Sequence, residues 1–412
     1  MKHYKININD TKRNIIIISS VLILLILGII FTYLIIKKPK TIEVVVSSSN
    51  IISSKIIKPD LKASILATGD MLMHDTVISS AKKADGNYDF LPIFSSVKDI
   101  IKSYDFALCN IDGVMAGNTP YTGYPMFNCP SSFAKDMKDT GFKMVVTMNN
   151  HSYDRYFQGQ LNTIQTLKQN GITPLGVKES ADEKNYKIEN INGINVGFMA
   201  YSYETNADKS SASLNGIPIA QEYLPLFNVF YPDDYEQELL IMKSYIEEMN
   251  SQSDVSIIYI HWGNEYTREP NEIQKAMAKK FIEYGIDIVF GDHPHVVQPY
   301  EKIITENKNE GHIFYSLGNF ISDQNKAFTL DGIMATVEIT KNGETSKTTI
   351  SKVDFISTWV NKSTINGKLA FEILPIKNTL EVFSNKYSDN VLNSLISSQN
   401  NTKEMMKEIF EK

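Results

Sequence analysis

The residues in this chain that can do chemistry are imidazoles and carboxylates placed just past short apolar runs. The densest such stretch is Gly291-Asp292-His293-Pro294-His295. It follows residues 285–290, an apolar run that reads as a buried strand, and it sets two imidazoles one residue apart. Pro294 has a fixed φ of its own and pushes His293 towards an extended backbone. Neutral imidazole nitrogen is a common ligand for zinc, iron and nickel, so the pair suits one metal ion or two adjacent ones. A solvated His-x-His loop is the bland alternative, and the remaining histidines weigh against it. Of the 7 histidines, all except His3 and His312 fall at or just past expected strand ends: His74, His151, His261, His293 and His295. Asp70 and Asp112 occupy equivalent positions. Each has an ordinary explanation by itself. An Asp after Gly is a turn residue, Asn150 could cap a helix, and His261 could be a core histidine satisfied by backbone groups. Their recurrence along one sheet edge points instead to a cage for a borderline metal such as zinc, manganese or iron. Two ions sharing Asp112 could hold a phosphate-like oxyanion between them.

Such a cage needs strands alternating with helices. Residues 64–68 read as a strand ending in Gly69-Asp70, and residues 90–103 have helical spacing. Residues 105–109 form a strand ending in Asn110-Ile111-Asp112-Gly113. A helix over 131–140 stops at Gly141, and a strand over 143–147 ends in Asn149-Asn150-His151. The helix over 157–170 stops at Gly171. This alternation implies a largely parallel sheet with its acidic and imidazole groups at the strands' carboxyl ends. Residues 186–190 and 195–201 read as a hairpin closed by Asn192-Gly193. Residues 204–232 lack periodicity and form an excursion near the site. A helix over 235–249 precedes the strand 255–260, which delivers His261-Trp262-Gly263; a helix over 272–284 leads to the opening stretch. Residues 297–304, 312–317, 333–339 and 348–355 alternate like antiparallel strands, and the chain closes on a polar, helix-prone tail.

The 412 residues allow one large domain or two ordinary ones, and the net charge of -6 leaves no basic footprint for nucleic acid. An anionic substrate must then be held locally, by a metal or a small cationic pocket. Cys109 and Cys129 are expected to be free, half-buried thiols rather than a bridge. Residues 14–36 carry no charge and are rich in Ile and Leu. As a helix they are about 34 Å long, enough for a bilayer core of roughly 30 Å. The run suits an uncleaved anchor better than a secretory signal. Lysines on both sides nearly balance, with the N-terminus placed inside and the bulk of the chain outside. The expected organisation is a cytoplasmic N-terminus over 1–13, a transmembrane anchor over 14–36, a tether over 37–60, a metal-site domain over 61–375 and a helical tail over 376–412.

Six segments carry a resemblance. They are Thr68-Gly69-Asp70-Met71-Leu72, Asn110-Ile111-Asp112-Gly113, Asn149-Asn150-His151 with Asp154, His261-Trp262-Gly263-Asn264-Glu265-Tyr266, Gly291 through Gln298, and Tyr315-Ser316-Leu317-Gly318-Asn319-Phe320. In this order, over about residues 64–325, they resemble the CapA family of capsule synthesis, implicated in making or exporting poly-γ-glutamate. That family is similar to the calcineurin-like metallophosphoesterases. The resemblance implies an α/β fold, a four-layer α/β/β/α sandwich of two mixed sheets flanked by helices, here preceded by one transmembrane helix. It implies that Asp112, Asn150, His261 and His293 make one metal site. Asp70 and His295 would contribute to a second, bridged by Asp112, for one or two divalent ions. His151 would be the acid that protonates a leaving oxygen, oriented by Asp154.

The chain also departs from the pattern. Leu72 stands where phosphoesterases usually carry a histidine, which makes His74 a possible substitute ligand. Asp112 stands where the capsule family usually has Glu. Glu265 and Tyr266 either read substrate or pack a loop. The expected function is a membrane-anchored extracellular protein of capsule or poly-γ-glutamate biosynthesis and export. It would act on a polyanionic polymer or its precursor beside other membrane proteins of capsule assembly. The alternatives are a general metal-dependent phosphoesterase without a capsule role, or an inactive scaffold.

Overall fold

The computed structural model describes residues 58–118, 120–205, 211–365, 367–376 and 386–410. The strand Leu61–Met71 shows how the sequence builds the layers. From Ile65 to Met71 every residue is buried, as a strand covered on both faces requires. Ile65 and Ala67 face one hydrophobic core, whereas Leu66 and Met71 face another. Phe106–Ile111 alternates likewise, with Phe106 and Leu108 on the first side and Ala107 and Cys109 on the other. The first core lies between two sheets, where Ile65 and Leu108 share it with Phe198 and Ile257. The outer cores hold the helices. Phe133 and Met137 of Ser132–Thr140 pack on one sheet; Met242 of Tyr235–Asn250 and Phe281 of Glu272–Glu283 pack on the other.

The first sheet runs in the order Lys368–Ile376, Thr348–Ile365, Asp331–Lys341, Leu61–Met71, Phe106–Ile111, Met144–Val146 and Thr173–Leu175. Leu61–Met71 is antiparallel to Asp331–Lys341 and parallel to Phe106–Ile111, so the sheet is mixed. The second sheet runs Val297–Ile304, Glu310–Leu317, Ile288–Asp292, Val255–His261, Ile194–Tyr203, Tyr186–Ile191. Its inner pairings are parallel and its two outer ones antiparallel. The site residues are therefore spread over the carboxyl edges of two sheets, not one. The helix expected over 90–103 is broken. Pro92 lies in a short 3-10 turn, Leu91–Phe94, and the α-helix is confined to Lys98–Lys102.

The expected anchor over residues 14–36 lies outside the described residues. Among the described residues no helix is long and apolar enough to cross a membrane. The longest, Asp389–Met405, has 17 residues, short of the ~20 apolar residues a span requires. It buries Leu395, Ser398, Thr402 and Met405, and Thr402 bonds Ser357 of the first sheet, so this face is already spent on the domain. The transmembrane part of the expected architecture is corrected accordingly. So are single-pass membrane localisation, the extracellular placement of the domain and contact with a membrane through an N-terminal helix. The expected partners, a polyanionic polymer and other membrane proteins of capsule assembly, came from the family resemblance; nothing among the described residues supports them, and they are withdrawn together with the anchor.

Cys109 and Cys129 are free and fully rather than half buried, and burial raises both thiols well above their ordinary range. Thiolate is the reactive form, so a disulfide-exchange reagent is expected to label neither cysteine in the native protein and both after denaturation. Rapid labelling of the native protein would contradict this packing.

Candidate metal centre

Parallel register sets the first residues of the site. In the first sheet Asp70 stands beside Asn110, whose Nδ2 donates to Asp70 Oδ1 at 2.7 Å. In the second sheet His261 stands beside Asp292. The Tyr259 hydroxyl ties the two edges together, donating to the Thr68 carbonyl at 2.9 Å and contacting Asp292 Oδ2. Gly69 lets the edges close. A Cβ there would stand 1.8 Å from the Gly318 carbonyl oxygen, which also accepts the Asp70 N–H at 3.0 Å.

The loop after Ile288–Asp292 is strained. His293 has φ +97, in place of the extended backbone expected before Pro294, and His295 has φ +58. Non-glycine residues seldom enter this region, and each such residue costs about 1–3 kcal/mol. The strain is held by Asp70, whose Oδ2 accepts the His293 N–H at 3.2 Å and lies 3.1 Å from His295 Nδ1. His295 Nδ1 is also 3.1 Å from Asn319 Oδ1. Both partners are acceptors, so Nδ1 carries a proton and Nε2 is the nitrogen they leave unengaged.

Three sets of donor atoms result. Asp70, Asp112 and His295 offer ligand atoms within 4.8 Å of one another, and so do Glu265, His293 and His295. In the third, His261 Nε2 lies 2.8 Å from Asn150 Oδ1 and 3.2 Å from His293 Nδ1. Ligands on one tetrahedral ion with bonds of about 2.1 Å stand about 3.4 Å apart, close to the latter spacing. Asn150 meets His261 on a turn that Asn149 braces. The Asn149 side chain accepts the His151 N–H at 3.0 Å and donates to the Ile111 carbonyl at 2.6 Å.

Both carboxylate oxygens of Asp112 are buried with no hydrogen-bond partner, as are Asp292 Oδ1 and His261 Nδ1. Each such orphan costs about 1–3 kcal/mol, more if charged. Burial pushes the Asp112 carboxyl well above its usual range, and the charges of Asp70, Asp154 and Glu265 push it further. Burial likewise raises Asp292, with Asp70 adding to it. Burial lowers His261 and His293 well below the ordinary imidazole value, and neighbouring imidazoles add to the effect. Neutral imidazoles among crowded carboxylates form a metal-binding cluster, because a divalent cation would remove the repulsion and give the orphaned oxygens a partner.

His151 and Asp154 come together as well, with His151 Nδ1 2.9 Å from Asp154 Oδ2. His74 is spent elsewhere. Its Nδ1 accepts the Asp323 N–H at 3.2 Å, and its ring meets Phe127 edge-on at 5.5 Å. Burial lowers His74 to about 4. Glu265 is exposed and falls with the metal-ligating groups. Tyr266, at φ +63, places its ring 5.9 Å from that of His295, with Lys326 Nζ 3.5 Å from the Tyr266 ring centre. Sequence reasoning missed Asp292 as a participant, although it directly precedes the histidine pair. It also missed Tyr203, whose ring lies 4.7 Å from His293 and runs parallel to His261 at 6.4 Å.

The sequence family described as bacterial capsule synthesis protein PGA_cap matches residues 64–324. The chain is 30% identical over 217 residues to the capsule biosynthesis protein CapA of Bacillus anthracis, covering 51% of this chain and 47% of that protein. It is 27% identical over 293 residues to the PGA biosynthesis protein CapA of Bacillus subtilis (strain 168), covering 69% of this chain and 70% of the relative. A crystal structure described as a novel phosphatase from Mycoplasma pneumoniae overlaps with a TM-score of 0.41 at 12% identity, over 73% of this chain and 94% of that one. Overlap at that level carries no functional argument.

Proposed function

The chain belongs to the bacterial capsule synthesis protein family PGA_cap, and on that premise we propose that it is a metal-dependent phosphoester hydrolase. One observation supports this above the others: Asp112 keeps two buried, unpartnered oxygens among carboxylates and neutral imidazoles. Asp112, Asn150, His261 and His293 would hold one divalent ion. Asp70 and His295 would serve a second, with Asp112 between them. The mixed oxygen and nitrogen donors suit manganese, zinc or iron. Bound there, the metal would supply Lewis-acid activation of the ester and of the attacking water.

The chain's own residues supply the proton. His151 donates from Nδ1 to Asp154, which leaves Nε2 as the nitrogen to protonate the leaving oxygen. The fully buried Asp154 holds the ring in the orientation this task needs. The relatives' names concern capsule and PGA biosynthesis; the reading adopted for this chain is a reaction and not a pathway.

The test incubates the purified protein with manganese, zinc or iron and a panel of phosphoesters. Hydrolysis is expected to require metal, to stop with chelator, and to fall by roughly 10²-fold or more in Asn150→Ala. Absence of turnover across the panel with every metal would overturn the proposal.

A further inference from the structure

The structure assigns to Asn215 the positioning of the proton donor, an inference that rests on reading His151 as the acid. Asn215 and Gly216 close the small hairpin of Ser213–Leu214 and Ile217–Pro218, with φ +50 and +69. Turns with both central residues at positive φ favour Asn-Gly, so the turn by itself would account for the residue type. The side chain does more than the turn requires. Asn215 Nδ2 donates to Asp154 Oδ1 at 2.8 Å and to the Pro125 carbonyl at 2.8 Å.

Asp154 is fully buried, and its other oxygen accepts the Phe127 N–H at 2.6 Å and His151 Nδ1–H at 2.9 Å. The carboxylate is thus gripped at both oxygens, and Asn215 supplies the grip on Oδ1. Without it, the carboxylate can rotate and carry the His151 ring with it. The bond to Pro125 extends the clamp to the segment that walls His151. Phe127 packs edge-on 4.8 Å from the His151 ring, and Tyr124, 70% exposed, lies 6.5 Å from it. One amide therefore joins the hairpin, the aromatic wall and the carboxylate behind the acid. Asn215 touches no reacting atom; it acts through Asp154.

Asn215→Gly separates turn from clamp, because glycine reaches positive φ freely but brings no donor. Asn215→Asp is the second variant, similar in size and also tolerant of the turn, with the amide donor gone. Two readouts apply to both. The first is the turnover of an alkyl phosphoester compared with an aryl phosphoester, since a poor leaving group depends on the acid far more than a good one. The second is the water-exchange rate of the downfield His151 Nδ1 proton, assigned by its loss in His151→Ala. In both variants we expect alkyl-ester kcat to fall by about 10-fold or more, with aryl-ester kcat falling less than about 3-fold and bound metal unchanged. Exchange should speed up by roughly 10-fold as the ring loses its anchor. Equal losses on the two esters, or an unchanged exchange rate, would overturn the assignment. If the wild-type protein hydrolyses neither ester, the hydrolase proposal falls by itself. The exchange rate then decides the role of Asn215 alone, faster in the variants if the clamp is real and the same if it is not.

Discussion

Asp112→Asn is expected to stabilise the metal-free protein and destabilise the metal-loaded one. Without metal, the Asp112 carboxyl has two buried, unpartnered oxygens and stands near the charges of Asp70, Asp154 and Glu265. A neutral amide removes that repulsion, so under chelator the variant should melt roughly 2–4 °C above wild type. With metal the order reverses. A site with metal at a hundredfold excess over Kd stabilises by about 2.7 kcal/mol, or roughly 3–4 °C in a domain of this size. The variant loses a charged ligand and should keep less than about 1 kcal/mol of that gain. Melting curves with chelator and with manganese or zinc check both halves. Variant and wild type shifting in parallel under both conditions would show that Asp112 does not face the cation.

His151→Ala should cut alkyl-phosphoester turnover by about 10²–10⁴-fold while metal retention stays at the wild-type level. The fold should tolerate the change. After His151 is removed, Asp154 still accepts the Phe127 N–H at Oδ2 and the Asn215 amide at Oδ1. No buried carboxylate oxygen is left without a donor, so the usual large penalty does not arise. An aryl ester, whose leaving oxygen needs little protonation, should lose less than about tenfold. Loss of metal along with activity would make His151 a ligand instead, and a uniform loss on both esters would remove its role as the acid.

The histidines at strand ends were legible for a physical reason. Strands covered on both faces are almost wholly apolar, so the first polar residue after such a run stands out, as His261 does after 255–260. The division into two mixed sheets was expected from the family resemblance and is what the chain forms, but periodicity alone suggested a single sheet. Residues 64–68 and 255–260 are equally apolar, and they are told apart only by long-range pairing with strands such as Asp331–Lys341. Asp292 was passed over because its register beside His261 is a property of the pair and not of either segment. Asn215 lies in 204–232, where no period betrays a strand, and the Asn-Gly turn hides its second use. His74 follows a strand end like the others, but its Nδ1 accepts the Asp323 N–H and its ring packs on Phe127. The strain at His293 also runs against the local preference before proline, and is held by Asp70 from the other sheet.

Leu61–Met71 is zipped on one side to Phe106–Ile111 and on the other to Asp331–Lys341. A nascent chain leaving the ribosome therefore exposes Asp70 and Asp112 long before the segment that seals their sheet has been translated. Such distant pairing is slow to form, because loop-closure entropy comes due before the contacts reward it. A polypeptide stalled at residue 330 would already contain every proposed ligand and still lack the strand that locks them in place. Cation capture is therefore expected to wait until Asp331–Lys341 has paired with Leu61–Met71.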